Sequence, residues 1–131
     1  MDRAAYTILV VEDETLSRML LEEFVRSGEF SVLSASGGAD ALAKLDKFRF
    51  SVMVTDIAMP GQLDGNGLAE AALGFIPDLK IVFVTGLPDS VAPALAARWP
   101  VLTKPVDPDD LTRAIVKLLD HDDFGSKRPE I

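Results

Sequence analysis

The sequence predicts an α/β fold, a parallel five-stranded sheet of order 2-1-3-4-5 with helices on both faces. Three observations predict it. Short apolar runs alternate five times with segments of helical periodicity. The first run, Thr7 to Val11, is apolar almost throughout, as in a strand covered on both sides. Four of the five runs stop on a polar or charged group, and a parallel sheet carries all such ends to one edge.

The elements follow in order. Thr7-Ile8-Leu9-Val10-Val11 is the first strand and runs into Glu12-Asp13-Glu14. Leu16, Met19, Leu20, Glu23 and Phe24 fall mostly on one helical stripe, the pattern of a helix with a core face. Gly28 stops that helix. Phe30 to Ala35 is a less apolar strand, suited to an edge. Ala39, Leu42, Leu45 and Phe48 give a second helix, and Phe50 to Asp56 a third strand. There the chain ends on a carboxylate and is turned away by Pro60-Gly61. The loop Gly61 to Gly67 enters a third helix marked by Leu68, Ala71, Ala72 and Phe75. Lys80 to Thr85 is the fourth strand. Ser90 to Trp99 is a weaker helix, because Pro93 is tolerated only in a first turn. Val101-Leu102-Thr103 is a short fifth strand before Lys104-Pro105. Asp107-Pro108-Asp109-Asp110 opens the last helix with acidic residues in its first turn, and Leu111, Ile115, Leu118 and Leu119 form its inward stripe. Right-handed crossovers then favour the flavodoxin-like (βα)5 three-layer sandwich.

Bulk properties narrow the function. With 131 residues the chain suits one domain, and its 48% apolar and 26% charged residues are those of a soluble globular protein. No apolar run approaches the roughly 20 residues of a membrane span. No signal peptide is read before the first strand, and a cytoplasmic protein is expected. The absence of cysteine excludes disulfides and thiolate chemistry. A net charge of −8 argues against nucleic-acid backbone binding and leaves room for a cation.

The strand ends carry the chemistry. Glu12-Asp13 and Asp56 end the first and third strands, which flank the topological switch, so their carboxylates should converge. Clustered carboxylates repel, and an all-oxygen set suits a hard cation such as Mg2+. Lys104 adds a fixed positive charge and Thr85 a hydroxyl. Gly86 beside Thr85 leaves space for an approaching group. This is equipment for phosphoryl transfer onto Asp56: the carboxylate attacks phosphorus, and Mg2+, Lys104 and Thr85 hold the equatorial oxygens. Singly, Glu12-Asp13 would serve as a helix cap, Asp56 as a turn residue, Thr85 as a β-former and Lys104 as a solvated side chain. Jointly those readings need four coincidences at one edge. His121 reads as a tail residue, Asp64 as a turn residue and Trp99 as partly buried packing.

The chain resembles the receiver domains of two-component response regulators, the CheY-like family. The matching motifs are Val10-Val11-Glu12-Asp13-Glu14, Thr55-Asp56-Ile57-Ala58-Met59-Pro60-Gly61, Val84-Thr85-Gly86 and Thr103-Lys104-Pro105, in order and at the family's spacing from about Thr7 to about Leu119. The resemblance implies that Asp56 accepts a phosphoryl group from a histidine kinase or histidine phosphotransfer protein. It implies that Asp13, Asp56 and the Ala58 backbone carbonyl bind Mg2+, with Glu12 acting through water, and that Lys104-Pro105 is cis. On this reading residues 5–120 are the receiver domain and residues 121–131 a polar tail, with no output domain. The chain would then be a single-domain regulator whose output is a contact with an unknown downstream protein, or one that passes or drains phosphoryl groups. It is expected to be a monomer or a weak phosphorylation-dependent dimer, and to catalyse only its own phosphorylation and dephosphorylation. Ala58 and Leu87 are apolar and cannot position an attacking water, so slow to moderate self-dephosphorylation is expected.

Several positions depart from the family pattern. Val101 stands where the family often has a switching aromatic, and Val106 where another is common. The loop from Gly61 to Gly65 reads as one residue longer than usual. With Pro93, these departures put in question the face formed by the fourth helix, fifth strand and fifth helix. The Phe83-Val84-Thr85-Gly86 run and weak fourth helix are similar to the receiver subgroup whose motif is called FAT GUY. Two rival functions are a phosphorylation-independent interaction module and a Mg2+-dependent aspartyl phosphohydrolase. The intact acidic and basic set speaks against the first. Ala58, where a second carboxylate would be needed, speaks against the second.

Overall fold

The structure, a computed structural model, describes residues 1–61 and 63–120. The polar tail 121–131 with His121, and Gln62 in the longer loop, lie outside the described residues. The strands are β1 (Thr7–Val11), β2 (Ser31–Ala35), β3 (Val52–Thr55), β4 (Lys80–Thr85) and β5 (Val101–Thr103). The helices are α1 (Thr15–Ser27), α2 (Gly38–Lys47), α3 (Gly65–Phe75), α4 (Pro93–Ala96) and α5 (Pro108–Asp120). All four strand pairings are parallel, in the order β2-β1-β3-β4-β5. This is the predicted flavodoxin-like fold, and β2 is indeed an edge strand.

Alternate residues of the strands feed two cores. Leu9, Val11, Met53, Ile81 and Phe83 pack with α2, α3 and Trp99 on one face. Ile8, Val10, Val54, Val82 and Val84 pack with α1 and α5 on the other. The inner strands have no solvated face, which explains their continuous apolar runs. No helix is long and apolar enough to cross a membrane, among the described residues.

The helices are where the sequence and the structure part. On α1 the buried side chains are Leu21 and Val25. Leu16, Met19 and Leu20 of the predicted stripe are 73, 56 and 54% exposed. The helix carries two apolar stripes, and packing against β1 and β2 selects the one four residues apart. The same rotation occurs on α2, where Ala41 and Leu45 are buried and Phe48 lies exposed past the last turn. On α3, Leu68, Ala69 and Ala72 are buried, and Phe75 is exposed. Asp64, read as a turn residue, caps α3 by accepting the Gly67 N–H (3.0 Å). The expected helix over Ser90 to Trp99 shrinks to a 3-10 turn at Pro88–Ser90 and the single turn of α4, which Pro93 opens. Trp99 is more deeply buried than expected, at 7% exposed. The inward residues of α5 are Leu111, Ile115 and Leu119, as predicted, with Leu118 half-buried between the two cores.

Candidate functional site

The sheet brings the ends of β1, β3, β4 and β5 to one edge, and backbone bonds fix each there. Asp56 N–H donates to the Val11 carbonyl (3.1 Å), which sets Asp56 beside the start of the acidic loop. Glu12 N–H donates to Ala35 O (3.1 Å), and Lys104 N–H to Thr85 O (2.9 Å). The Lys104-Pro105 peptide is cis.

Ligand oxygens of Glu12, Asp13 and Asp56 lie within 4.8 Å of one another. Glu12 is 2% exposed and Asp56 is buried, while Asp13 is half-buried. Lys104 Nζ bridges two of the three, 2.8 Å from Glu12 Oε1 and 3.0 Å from Asp56 Oδ2. Asp56 Oδ1 accepts the N–H of Ile57 (2.7 Å), and Glu12 Oε2 that of Glu14 (3.2 Å). Burial pushes the Glu12 carboxyl above its ordinary range, and the nearby Asp56 charge adds to the rise. The bonds from Lys104 and Glu14 only partly offset it. Burial works against the Lys104 ammonium too, but its bonds to Glu12 and Asp56 prevail and raise its pKa.

This charge balance tests the fit of a cation. Three converging carboxylates face one ammonium, and the most buried of them still resists ionisation. A hard divalent ion answers both the charge and the donor type. Thr85 is buried at the same edge, and its Oγ1 accepts the Leu87 N–H (3.0 Å). Ala58 is exposed two residues beyond Asp56.

Sequence reasoning missed three residues around this site. Arg18 Nη1 donates to the carbonyls of Glu12 (2.9 Å) and Asp13 (3.4 Å), pinning the acidic loop to α1. Gly65 presses on the Asp56 backbone: a Cβ there would lie 2.1 Å from Asp56 O. Asn66 joins the first turn of α3 to the segment after β4. Nothing local in the sequence sets Arg18 apart from a solvated arginine. For Gly65 the neighbouring Asp64 cap was the available signal.

Comparison with known proteins agrees with this architecture. The response regulator receiver domain family matches residues 8–116. The response regulator receiver protein CpdR of Brucella abortus is 39% identical over 118 residues, covering 86% of this chain and 95% of that protein. The transcription factor SKN7 of Saccharomyces cerevisiae is 29% identical over 120 residues, which are 89% of this chain and 19% of that protein. The response regulator TrrA of Thermotoga maritima, solved in complex with Mg2+–BeF, superimposes with a TM-score of 0.77 at 28% identity, covering 86% of this chain and 98% of that one. The protein therefore belongs to the response regulator receiver domain family, the CheY-like receivers of two-component signalling.

Proposed function

We propose that this protein is a phosphorylation-switched regulator in which Asp56 accepts a phosphoryl group from a phosphohistidine on a histidine kinase or histidine phosphotransfer protein. The carrying observation is the Lys104 ammonium shared between Asp56 and Glu12, at an edge where Asp13 completes a set of hard oxygen donors. Receiver domains act in phosphorylation signalling rather than as conventional enzymes, and they bind Mg2+ at an acidic pocket.

An Asp56 carboxylate oxygen forms the bond to phosphorus as the phosphorus–imidazole bond breaks, and that bond's electron pair stays on the imidazole nitrogen. Glu12, Asp13, Asp56 and the Ala58 carbonyl would hold Mg2+, which supplies positive charge to the phosphoryl oxygens. Lys104 can turn from Asp56 towards a phosphoryl oxygen while keeping Glu12. Thr85 has a hydroxyl proton to donate, because its bond to Leu87 uses only an oxygen lone pair. Leu16, Met19 and Leu20 give an exposed apolar face on α1, the helix that starts at the acidic loop, and the phosphodonor can seat there.

We take residues 5–120 as the receiver and 121–131 as a polar tail. The output is a protein contact that changes with phosphorylation, made by a monomer or weak phosphorylation-dependent dimer, and its setting is the cytoplasm. The test is intact mass after incubation with acetyl phosphate, with and without Mg2+, for wild type and Asp56→Asn. One Mg2+-dependent phosphoryl adduct, lost in Asp56→Asn, is expected. Absence of an adduct with acetyl phosphate and with phosphohistidine donors alike would overturn the reading.

A further inference from the structure

Asn66 stands in the first turn of α3, and its side chain crosses to the segment between β4 and α4. Nδ2 donates to the Ser90 carbonyl (2.9 Å), and Oδ1 accepts the Ala92 N–H (2.8 Å). One amide thus ties the first turn of α3 to the segment after β4, across 24 to 26 positions of sequence.

Both ends of this tie lead to the site. On one side, Gly65 precedes Asn66 and donates its N–H to the Ile57 carbonyl (2.9 Å). The Gly65 Cα also packs against the Asp56 carbonyl so closely that no side chain fits. On the other side, Ser90 is bound to Leu87 through N–H (2.9 Å) and Oγ (2.6 Å), and Leu87 N–H is held by Thr85 Oγ1. Contacts therefore run without a break from Asp56 through Gly65, Asn66, Ser90 and Leu87 to Thr85.

A second observation concerns what lies beyond. Val91, Leu95 and Trp99 enter the core from this segment, yet the buried Trp99 Nε1 has no hydrogen-bond partner among the described residues. A buried orphan donor weakens the seating of the element that carries it. The segment is thus held at one end by a directional polar tie and packed at the other with an unmet polar group. Hydrogen bonds weaken steeply with misalignment, so a small shift of the Asp56–Gly65 backbone is felt at Ser90 and Ala92.

We propose that Asn66 is a positioning residue that couples the Asp56 end of β3 to the segment from Leu87 to Trp99. It supplies a connection that does not need an aromatic at Val101. The proposal rests on the reading of Asp56 as phosphoacceptor.

The experiment uses the full chain with acetyl phosphate and Mg2+. Intact mass follows the adduct, while Trp99 emission and peptide-resolved hydrogen exchange follow residues 87–99. In wild type the adduct is expected to change both signals. Asn66→Ala should take the adduct normally, but its phosphorylation-dependent change should fall at least about fivefold. Asn66→Asp keeps an acceptor for the Ala92 N–H, so it should respond in between, and it stands in if the alanine variant fails to fold. A full wild-type response in phosphorylated Asn66→Ala would overturn the coupling. So would a phosphorylated wild type whose 87–99 segment does not change. A wild type that takes no phosphoryl group would instead overturn the phosphoacceptor reading, and this one with it.

Discussion

Lys104 Nζ lies closer to Glu12 than to Asp56, at 2.8 Å against 3.0 Å. The Lys104 ammonium is therefore divided between Asp56 and a deeply buried neighbour. Among the described residues no cation is paired with Asp13. Its carboxylate faces those of Glu12 and Asp56, which share the Lys104 ammonium between them. Asp13→Asn should thus stabilise the metal-free protein by about 1 kcal/mol while raising the Mg2+ dissociation constant at least about tenfold. Thermal unfolding in EDTA and in Mg2+ measures both. A lower midpoint in EDTA would contradict the repulsion argument.

Arg18 gives a second handle on the same loop. Its guanidinium donates to the carbonyls of Glu12 and Asp13, so it fixes the path of the backbone that presents both carboxylates. Arg18→Ala should weaken Mg2+ binding by about tenfold, as loss of a group that orients ligands does. Arg18→Lys should recover part of it. Calorimetric titration with Mg2+ measures the affinity, and unchanged binding in Arg18→Ala would remove Arg18 from the site.

Two glycines of α3 should respond oppositely to alanine. At Gly65 the new Cβ would meet the Asp56 carbonyl oxygen at 2.1 Å and the Ile57 Cα at 2.7 Å, both backbone atoms that cannot step aside. Gly65→Ala should cost about 3 kcal/mol or more. At Gly74 nothing lies within 4 Å, and Gly74→Ala should stabilise by about 0.5–1 kcal/mol. Urea unfolding of the pair is the check.

Asp40 gives a pH-dependent stability. Its carboxylate accepts the Ser36 N–H (3.0 Å) and pairs with Lys44 (3.2 Å), and the Ser36 bond chiefly lowers its pKa from 3.8. A lowered carboxyl pKa adds stability above the unfolded value, and that stability is lost as pH falls through the folded one. At neutral pH Asp40→Asn should cost about 0.5 kcal/mol, kept small because solvent screens the pair. The difference from wild type should shrink as pH drops below 3.8. A gap that persists at the lowest pH would mean that the charge is not its cause.

The exposed stripe of α1 makes a prediction against the sequence pattern. Leu16→Gln, Met19→Gln and Leu20→Gln should each change stability by less than about 0.5 kcal/mol, whereas Leu21→Ala should cost about 2–5 kcal/mol. Chemical unfolding of the four variants distinguishes the two faces.

That stripe also marks how far the sequence could be read. Strands buried on both faces announce themselves by composition, so β1 and β4 were legible to the residue and β3 to within two, whereas β5, a short edge strand, was read from its place before Lys104-Pro105. An amphipathic helix announces its period but not its rotation. Leu16, Met19 and Leu20 compete with Leu21 and Val25, and only the sheet decides between them. Glu12, Asp13, Asp56 and Lys104 were legible as candidate site residues because the order of a parallel sheet sends strand ends to a common edge. Arg18 and Asn66 were not, because their partners are backbone groups of loops, which leave no mark on composition or spacing.

The bond between Glu12 and Lys104 joins positions 92 residues apart, one after the first strand and the other after the last. A fragment that ends before β5 cannot assemble it. A chain still emerging from the ribosome, or one opened at its β5 edge, lacks the cation that sits between Glu12 and Asp56. An intact acidic pocket is then a sign that the sheet has closed from β1 to β5.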